Sequence, residues 1–162
     1  MGILISSFPG CGKTYLMNTH GGKAKMLNAI TLIETQDDAY DFASLTDRIM
    51  DIINDYDIIF IPASEGLLNV LDDRNIDYDL FYPSKERRGE FIENMVRKRA
   101  PRNSIMMIDR DFDKIVDRLD AIEAENCYKH QLKGQGQFIG NDPSIMSYIN
   151  SLENHKAHEE RT

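Results

Sequence analysis

The stretch Ser6-Ser7-Phe8-Pro9-Gly10-Cys11-Gly12-Lys13-Thr14 directly follows the apolar run Gly2-Ile3-Leu4-Ile5. Together they read as a buried strand entering a glycine-rich loop, with Tyr15-Leu16-Met17 opening a helix behind it. Such a loop suits a polyphosphate. Gly10 and Gly12 permit close approach of the backbone, N–H groups point inward, and the helix N-terminus adds partial positive charge. Lys13 is then expected to reach the β- and γ-phosphates of a nucleoside triphosphate, and the Thr14 hydroxyl to ligate Mg²⁺. Pro9, Gly10, Cys11, Gly12 and Tyr15, with Arg102 further along the chain, complete the expected nucleotide-binding set. The pattern G-x-x-x-x-G-K-[ST] is met at Gly12-Lys13-Thr14 but has Ser7 at its first glycine position. A strand before the loop and a helix after it supply the context the motif requires; the competing reading is a structural glycine turn.

At 162 residues with 41% hydrophobic content, the chain is expected to form one domain over residues 1–162 with a substantial core. Its net charge of −8 argues against a general electrostatic nucleic-acid binder, although a local basic patch is compatible with it. The N-terminal apolar run is too short for a signal sequence and lacks a basic flank, and no segment approaches the length of a membrane span. Cys11 and Cys127 have no zinc spacing, so reduced thiols in a cytoplasmic setting are expected.

Along the chain, His20-Gly21-Gly22-Lys23 reads as a turn and Met26 to Ile33 as a second strand, ending in the acidic cluster Glu34-Thr35-Gln36-Asp37-Asp38. Ligands gather at the carboxyl edge of parallel sheets, which is where that cluster would fall. Phe42, Leu45, Ile49 and Ile52 form a helical stripe. Ile58-Ile59-Phe60-Ile61, closed by Pro62, reads as a strand covered on both faces and as the partner of the first strand. Leu67, Leu68 and Leu71 mark the next helix, and Asp77 to Tyr82 a fourth strand stopped by Pro83. Three alternations of strand and helix argue for a parallel α/β sheet.

From Ser84, a plausible N-cap, the pattern shifts. Phe91, Ile92 and Met95 give one apolar face, while Lys85, Arg87, Arg88, Arg97, Lys98, Arg99 and Arg102 crowd into a short basic region interrupted at Ala100-Pro101. Phe112, Ile115, Val116, Leu119 and Ile122 mark a further helix, and Cys127 to Leu132 a fifth strand. Asp142-Pro143 is a good helix start, with Asp as N-cap and Pro at the first helical position. His155 to Thr162 reads as a polar, frayed tail. His20, His130, His155 and His158 share no metal-binding spacing and read as surface or turn histidines.

Phosphoryl transfer needs an acceptor in line, an oxygen-ligated metal, and positive charge over the moving group. Arg97, Arg99 and Arg102 have the composition of an arginine lid over residues 84–104, against the alternative of a solvated helix face. Glu34 is the first choice for the carboxylate that orients the acceptor or a metal-bound water, with Asp37 and Asp38 as alternates; each of these acids could instead cap the following helix. Tyr40, Asp37 and Arg88 are candidate acceptor contacts, and Glu65, after the third strand, is a candidate metal-associated carboxylate.

On these residues the chain resembles the P-loop nucleoside monophosphate kinase-like proteins, and more closely a group of small adenylate-kinase-like proteins frequent in bacteriophages. The likeness runs from Ser7-Phe8-Pro9-Gly10-Cys11-Gly12-Lys13-Thr14 through Glu34 to Tyr40, Asp57 to Ile61 and Tyr82 to Glu86, to Arg97-Lys98-Arg99. Glu34 and Gln36 depart from the aspartates and serines usual in that group's second motif. The resemblance implies a three-layer α/β/α fold with a five-stranded parallel sheet in order 2-3-1-4-5, ATP and Mg²⁺ at the loop, and a closing Arg-rich lid. The leading expectation is an ATP-dependent kinase acting on a nucleoside or deoxynucleoside monophosphate. One alternative is a kinase of the same fold acting on another hydroxyl, such as hydroxymethyluracil in phage DNA, in the cytoplasm of an infected bacterium. Another is a non-catalytic nucleotide-binding protein or an ATPase.

Overall fold

The computed structural model describes residues 2–32 and 41–161, with side chains through residue 152. Strand β1 (Ile3–Ser7) leads through the glycine loop into helix α1 (Lys13–His20) and the short strand β2 (Met26–Asn28). Helix α2 (Phe42–Ile52), strand β3 (Ile58–Pro62), helix α3 (Glu65–Asp73) and strand β4 (Tyr78–Pro83) follow. Two consecutive helices, α4 (Arg88–Arg97) and α5 (Arg102–Asp120), precede strand β5 (Cys127–Leu132) and the last helix, α6 (Pro143–Arg161).

The five strands form one parallel sheet in the order β2-β3-β1-β4-β5. Parallel pairing aligns the strand ends, so Ser7 sits opposite Pro62 on one side and Phe81 on the other, with Asn28 opposite Phe60 one strand further out. The central strands are continuous apolar runs because helices cover both faces: Leu4, Ile5, Ile58, Ile59 and Phe60 are buried. On β4 the side chains divide between the two layers. Tyr78 donates to Asp72 of α3 and Tyr82 to Asp120 of α5, whereas Phe81, on the opposite face, stacks on His130 of β5. Among the described residues, no helix is long and apolar enough to cross a membrane.

Three boundaries differ from the sequence expectation. The strand read over Met26 to Ile33 ends at Asn28, and Ala29–Leu32 forms a 3-10 turn instead. Asn28 turns the chain itself: its side-chain oxygen accepts from Ile30 N–H and its carbonyl from the Thr31 hydroxyl, which leaves Ile30 exposed. Ser84 makes no capping bond, and a 3-10 turn, Lys85–Arg87, stands between it and α4. The polar tail expected to fray from His155 stays helical to Arg161. The break at Ala100-Pro101 falls where the sequence places it. Ala100 N–H reaches back to the Met95 carbonyl while Arg99 takes the left-handed conformation, φ 56°, that closes a helix C-terminus.

Candidate phosphate-binding loop and adjoining cleft

The loop is fixed from three sides. Phe8 N–H donates to the Phe81 carbonyl at 2.9 Å, and its ring packs edge-on against Phe91 of α4 and Phe112 of α5, with centroids 6.0 and 5.1 Å away. The buried Cys11 thiol faces the same Phe81 carbonyl, and the Cys11 carbonyl accepts from Ile139 N–H at 2.9 Å. Burial pushes the Cys11 thiol well above its ordinary range, against the charges of Arg87, Lys13 and Lys98, so the side chain is an inert protonated wedge.

Gly10 and Gly12 have φ of 91° and 95°, a region other residues enter only with strain. A Cβ on Gly12 would lie 3.0 Å from Phe138 Cβ, and one on Gly10 would lie 3.3 Å from the Phe91 ring. The two turns leave the amides of Gly10, Gly12, Lys13 and Thr14 with no acceptor among the described residues. These are the orphan donors of a glycine turn and of the helix start behind it, a local arrangement that favours an anion. Lys13 opens α1 beside them, and partial burial lowers its pKa from the ordinary lysine value.

A cleft of about 190 Å³ adjoins the loop at the carboxyl edge of the sheet. Its far wall comes from Asn28, Ile30, Ile61, Pro62 and Ala63. The structure therefore unites Ser7, Pro9, Gly10, Cys11 and Lys13 with the ends of β2 and β3. Thr14 and Tyr15 are exposed in the first turn of α1. No group of three or more His, Cys, Asp or Glu among the described residues is arranged to hold a metal. The Thr14 hydroxyl accords with a magnesium ion that takes its other ligands from phosphate and water.

The remaining expected residues are placed as follows. Glu34, Asp37, Asp38 and Tyr40 lie outside the described residues. Glu65 is the first residue of α3 and lines a separate cavity of about 130 Å³ with Asp72 and Arg118, its carboxylate 3.9 Å from the Arg118 guanidinium. Arg88 bonds to Asp109 at 2.9 Å, Arg97 approaches Glu93 at 3.3 Å, and Arg99 and Arg102 flank the α4–α5 turn. The first half of α4 is a wall of the loop, since Phe91 is fully buried against it.

Sequence reasoning missed the role of Arg87. Its guanidinium is 4% exposed, forks onto Glu90 at 2.9 and 2.8 Å, donates to the Gln137 carbonyl, and lies over the Phe91 and Phe138 rings. It thereby holds Phe138 against Gly12. Its Glu three residues later was the available signal.

His130 is also a correction. It is a half-buried bridge rather than a surface histidine: Nε2 lies 2.7 Å from Asp79 and Nδ1 3.1 Å from Asp142, which also caps α6 through the amides of Ser144 and Ile145. The hydrogen bond with Asp79 raises its pKa, burial opposes this, and Asp142 adds to the rise. A raised folded value means stability that is fully present below the ordinary 6.5 and is lost as pH climbs through the folded value. His130→Ala is accordingly expected to cost about 1–3 kcal/mol near pH 6 and clearly less near pH 9. Urea unfolding midpoints across that range measure it, and a cost independent of pH would refute the charged bridge.

No protein-family model matches this chain, and no curated protein does. Among solved structures, an unliganded sugar kinase from Janibacter sp. HTCC2649 superposes with a TM-score of 0.54 at 14% identity, covering 93% of this chain and 96% of that one. At that identity the likeness shows a shared fold, which in this chain is a five-stranded parallel sheet in order 2-3-1-4-5 with helices on both sides.

Proposed function

We propose that this chain is an ATP-dependent phosphotransferase that moves the γ-phosphoryl group to an acceptor bound in the cleft beside the loop. The observation that carries this reading is the run of amides at Gly10, Gly12, Lys13 and Thr14 that have no acceptor among the described residues, in a loop whose Gly10 and Lys13 line that cleft. The sugar-kinase neighbour supports phosphoryl transfer as the reaction class. The sequence resemblance favours a nucleoside or deoxynucleoside monophosphate as acceptor, with a hydroxymethylated pyrimidine in DNA as the alternative.

In this reading the loop amides and Lys13 bind the triphosphate and hold its terminal phosphorus toward the cleft. The acceptor oxygen bonds to that phosphorus as the bond to the β,γ-bridging oxygen breaks; the electron pair leaves on ADP and the acceptor proton passes to solvent or a carboxylate. Magnesium, held through Thr14 and phosphate oxygens, would neutralise charge on the transferring group. Phe91 and Phe138 pack behind the glycines and keep the loop in shape, and Phe8, braced against Phe91, also lines the cleft.

The test is transfer from γ-labelled ATP with magnesium to a panel of nucleoside monophosphates, unphosphorylated hydroxyl compounds and hydroxymethyluracil-containing DNA. Label on an acceptor supports the reading, and hydrolysis with no labelled acceptor favours an ATPase. The proposed transition-state role of Arg97 and Arg99 has its own check. Arg97→Ala and Arg99→Gly are expected to lower turnover more than ATP affinity, while Arg99→Gly relieves the left-handed φ and stabilises the chain by about 1 kcal/mol. Unchanged turnover in both would return these arginines to a solvated helix end.

A further inference from the structure

We infer, resting on the kinase reading, that Arg118 is a positioning residue for the acceptor: from behind the cleft it fixes the wall on which the acceptor docks, and it leaves the donor loop alone. Two cavities stand on either side of the segment Pro62-Ala63-Ser64-Glu65 that joins β3 to α3. Pro62 and Ala63 line the cleft beside the loop, while Glu65 and Asp72 of α3 line the second cavity together with Arg118 of α5. The acceptor wall is therefore a short connection with open volume behind it as well as in front.

Few bonds hold that connection. The Pro62 carbonyl accepts from the buried Ser6 hydroxyl at 3.2 Å, and the Ser64 carbonyl accepts from Leu68 N–H within α3. Ser64 stands at the N-cap of α3, yet its hydroxyl has no hydrogen-bond partner among the described residues, so the helix start lacks a side-chain brace. Between these two points, the Ala63 carbonyl takes its described hydrogen bond from the Arg118 guanidinium at 3.0 Å. The Glu65 carboxylate, 3.9 Å from the other terminal nitrogen, draws the guanidinium toward the segment.

The side chains of Arg118 and Glu65 are 37% and 67% exposed, and a pair so placed adds little to folding stability. Its consequence is geometric. Arg118 lies on the same helix as Phe112, which packs on Phe8 of the near wall, so α5 touches both sides of the cleft and sets the distance between them. The glycine loop is held by other means, through the Phe81 carbonyl, Ile139 N–H and the rings of Phe91 and Phe138. Without the guanidinium the acceptor wall is free to shift toward the second cavity, and a displacement on the order of 1 Å at a reacting group costs up to about 100-fold in rate.

The deciding experiment compares Arg118→Met and Arg118→Lys with the unaltered full chain. The substrates are ATP with magnesium and whichever nucleoside monophosphate, hydroxyl compound or hydroxymethyluracil-containing DNA the unaltered chain labels fastest. In Arg118→Met the acceptor KM is expected to rise by about tenfold or more, while ATP affinity by calorimetry stays within about twofold. Arg118→Lys keeps a donor for the Ala63 carbonyl and should recover most of the loss. Hydrogen exchange gives a readout independent of turnover: residues 61–70 should exchange faster in Arg118→Met, and residues 8–16 at the unaltered rate. A merely structural defect would lower kcat through the folded fraction and leave both KM values in place. That outcome overturns the inference, as does unchanged exchange over residues 61–70 or an equal shift in both affinities. Failure of the unaltered chain to label any acceptor would be seen first and would sink the kinase reading, taking this inference with it.

Discussion

Replacing Lys13 with alanine is expected to lower phosphoryl transfer by at least about 100-fold, the scale of losing one preorganised charge from a transferring group. The side chain stands at the first position of α1, beside amides that have no acceptor among the described residues, and it makes no described hydrogen bond within the chain. Its loss should therefore leave the fold untouched. Partial burial lowers the Lys13 pKa from the ordinary lysine value, and an anionic ligand beside the ammonium would oppose that shift. The check is kcat/KM for transfer with ATP affinity by calorimetry, beside an unfolding curve for each protein. Unchanged turnover with an intact fold would remove the donor assignment, whereas loss of turnover with loss of the fold would show Lys13 to be structural.

The second large effect is on stability. Arg87→Ala is expected to cost about 3 kcal/mol or more, because it leaves the partly buried Glu90 without its ion pair and frees the rings of Phe91 and Phe138. Glu90 would keep the Gly136 N–H at 2.9 Å, which limits the loss. The hydrogen bond from Arg87 is the main reason the Glu90 carboxyl titrates below its ordinary 4.5. A lowered folded value means stability present above 4.5 and lost as pH falls through the folded value, so the variant should lose part of that acid limb. Urea unfolding of Arg87→Ala, Glu90→Gln and the double variant measures it. The two costs should be non-additive by about 0.5–3 kcal/mol, and additive costs would dissolve the pairing. ATP affinity should weaken in Arg87→Ala as well, since Phe138 would no longer be braced against Gly12.

These two residues show how far a linear reading reaches. The placement of Lys13 at the head of α1 was legible because its signal is local: a strand, a glycine loop and a helix in one stretch of chain. Arg87 was visible only as one of several basic residues. Its burial comes from Leu132 and Gln137, which lie 45 and 50 positions away. The arginines after it divide similarly, since the pairs Arg88–Asp109 and Arg97–Glu93 place each on a particular helix side. Asn28 was overlooked because it sat inside a stretch read as strand, and its competition for backbone groups ends that strand five residues early.

The sequence by itself determined the layered α/β architecture and the loop. Apolar runs covered on both faces, Gly10 and Gly12 before Lys13, and Asp142-Pro143 at a helix start are all patterns of near neighbours. Tertiary structure alone decided which polar side chains are buried and what faces the cleft. His130 bonds Asp79 from 51 positions away, and Asn28 and Ala63 line one cleft only because β2 and β3 run parallel to the same edge. The physical reason is that burying a charge or an amide depends on the partner it meets. That partner is set by strand order and register, which no short window of sequence contains.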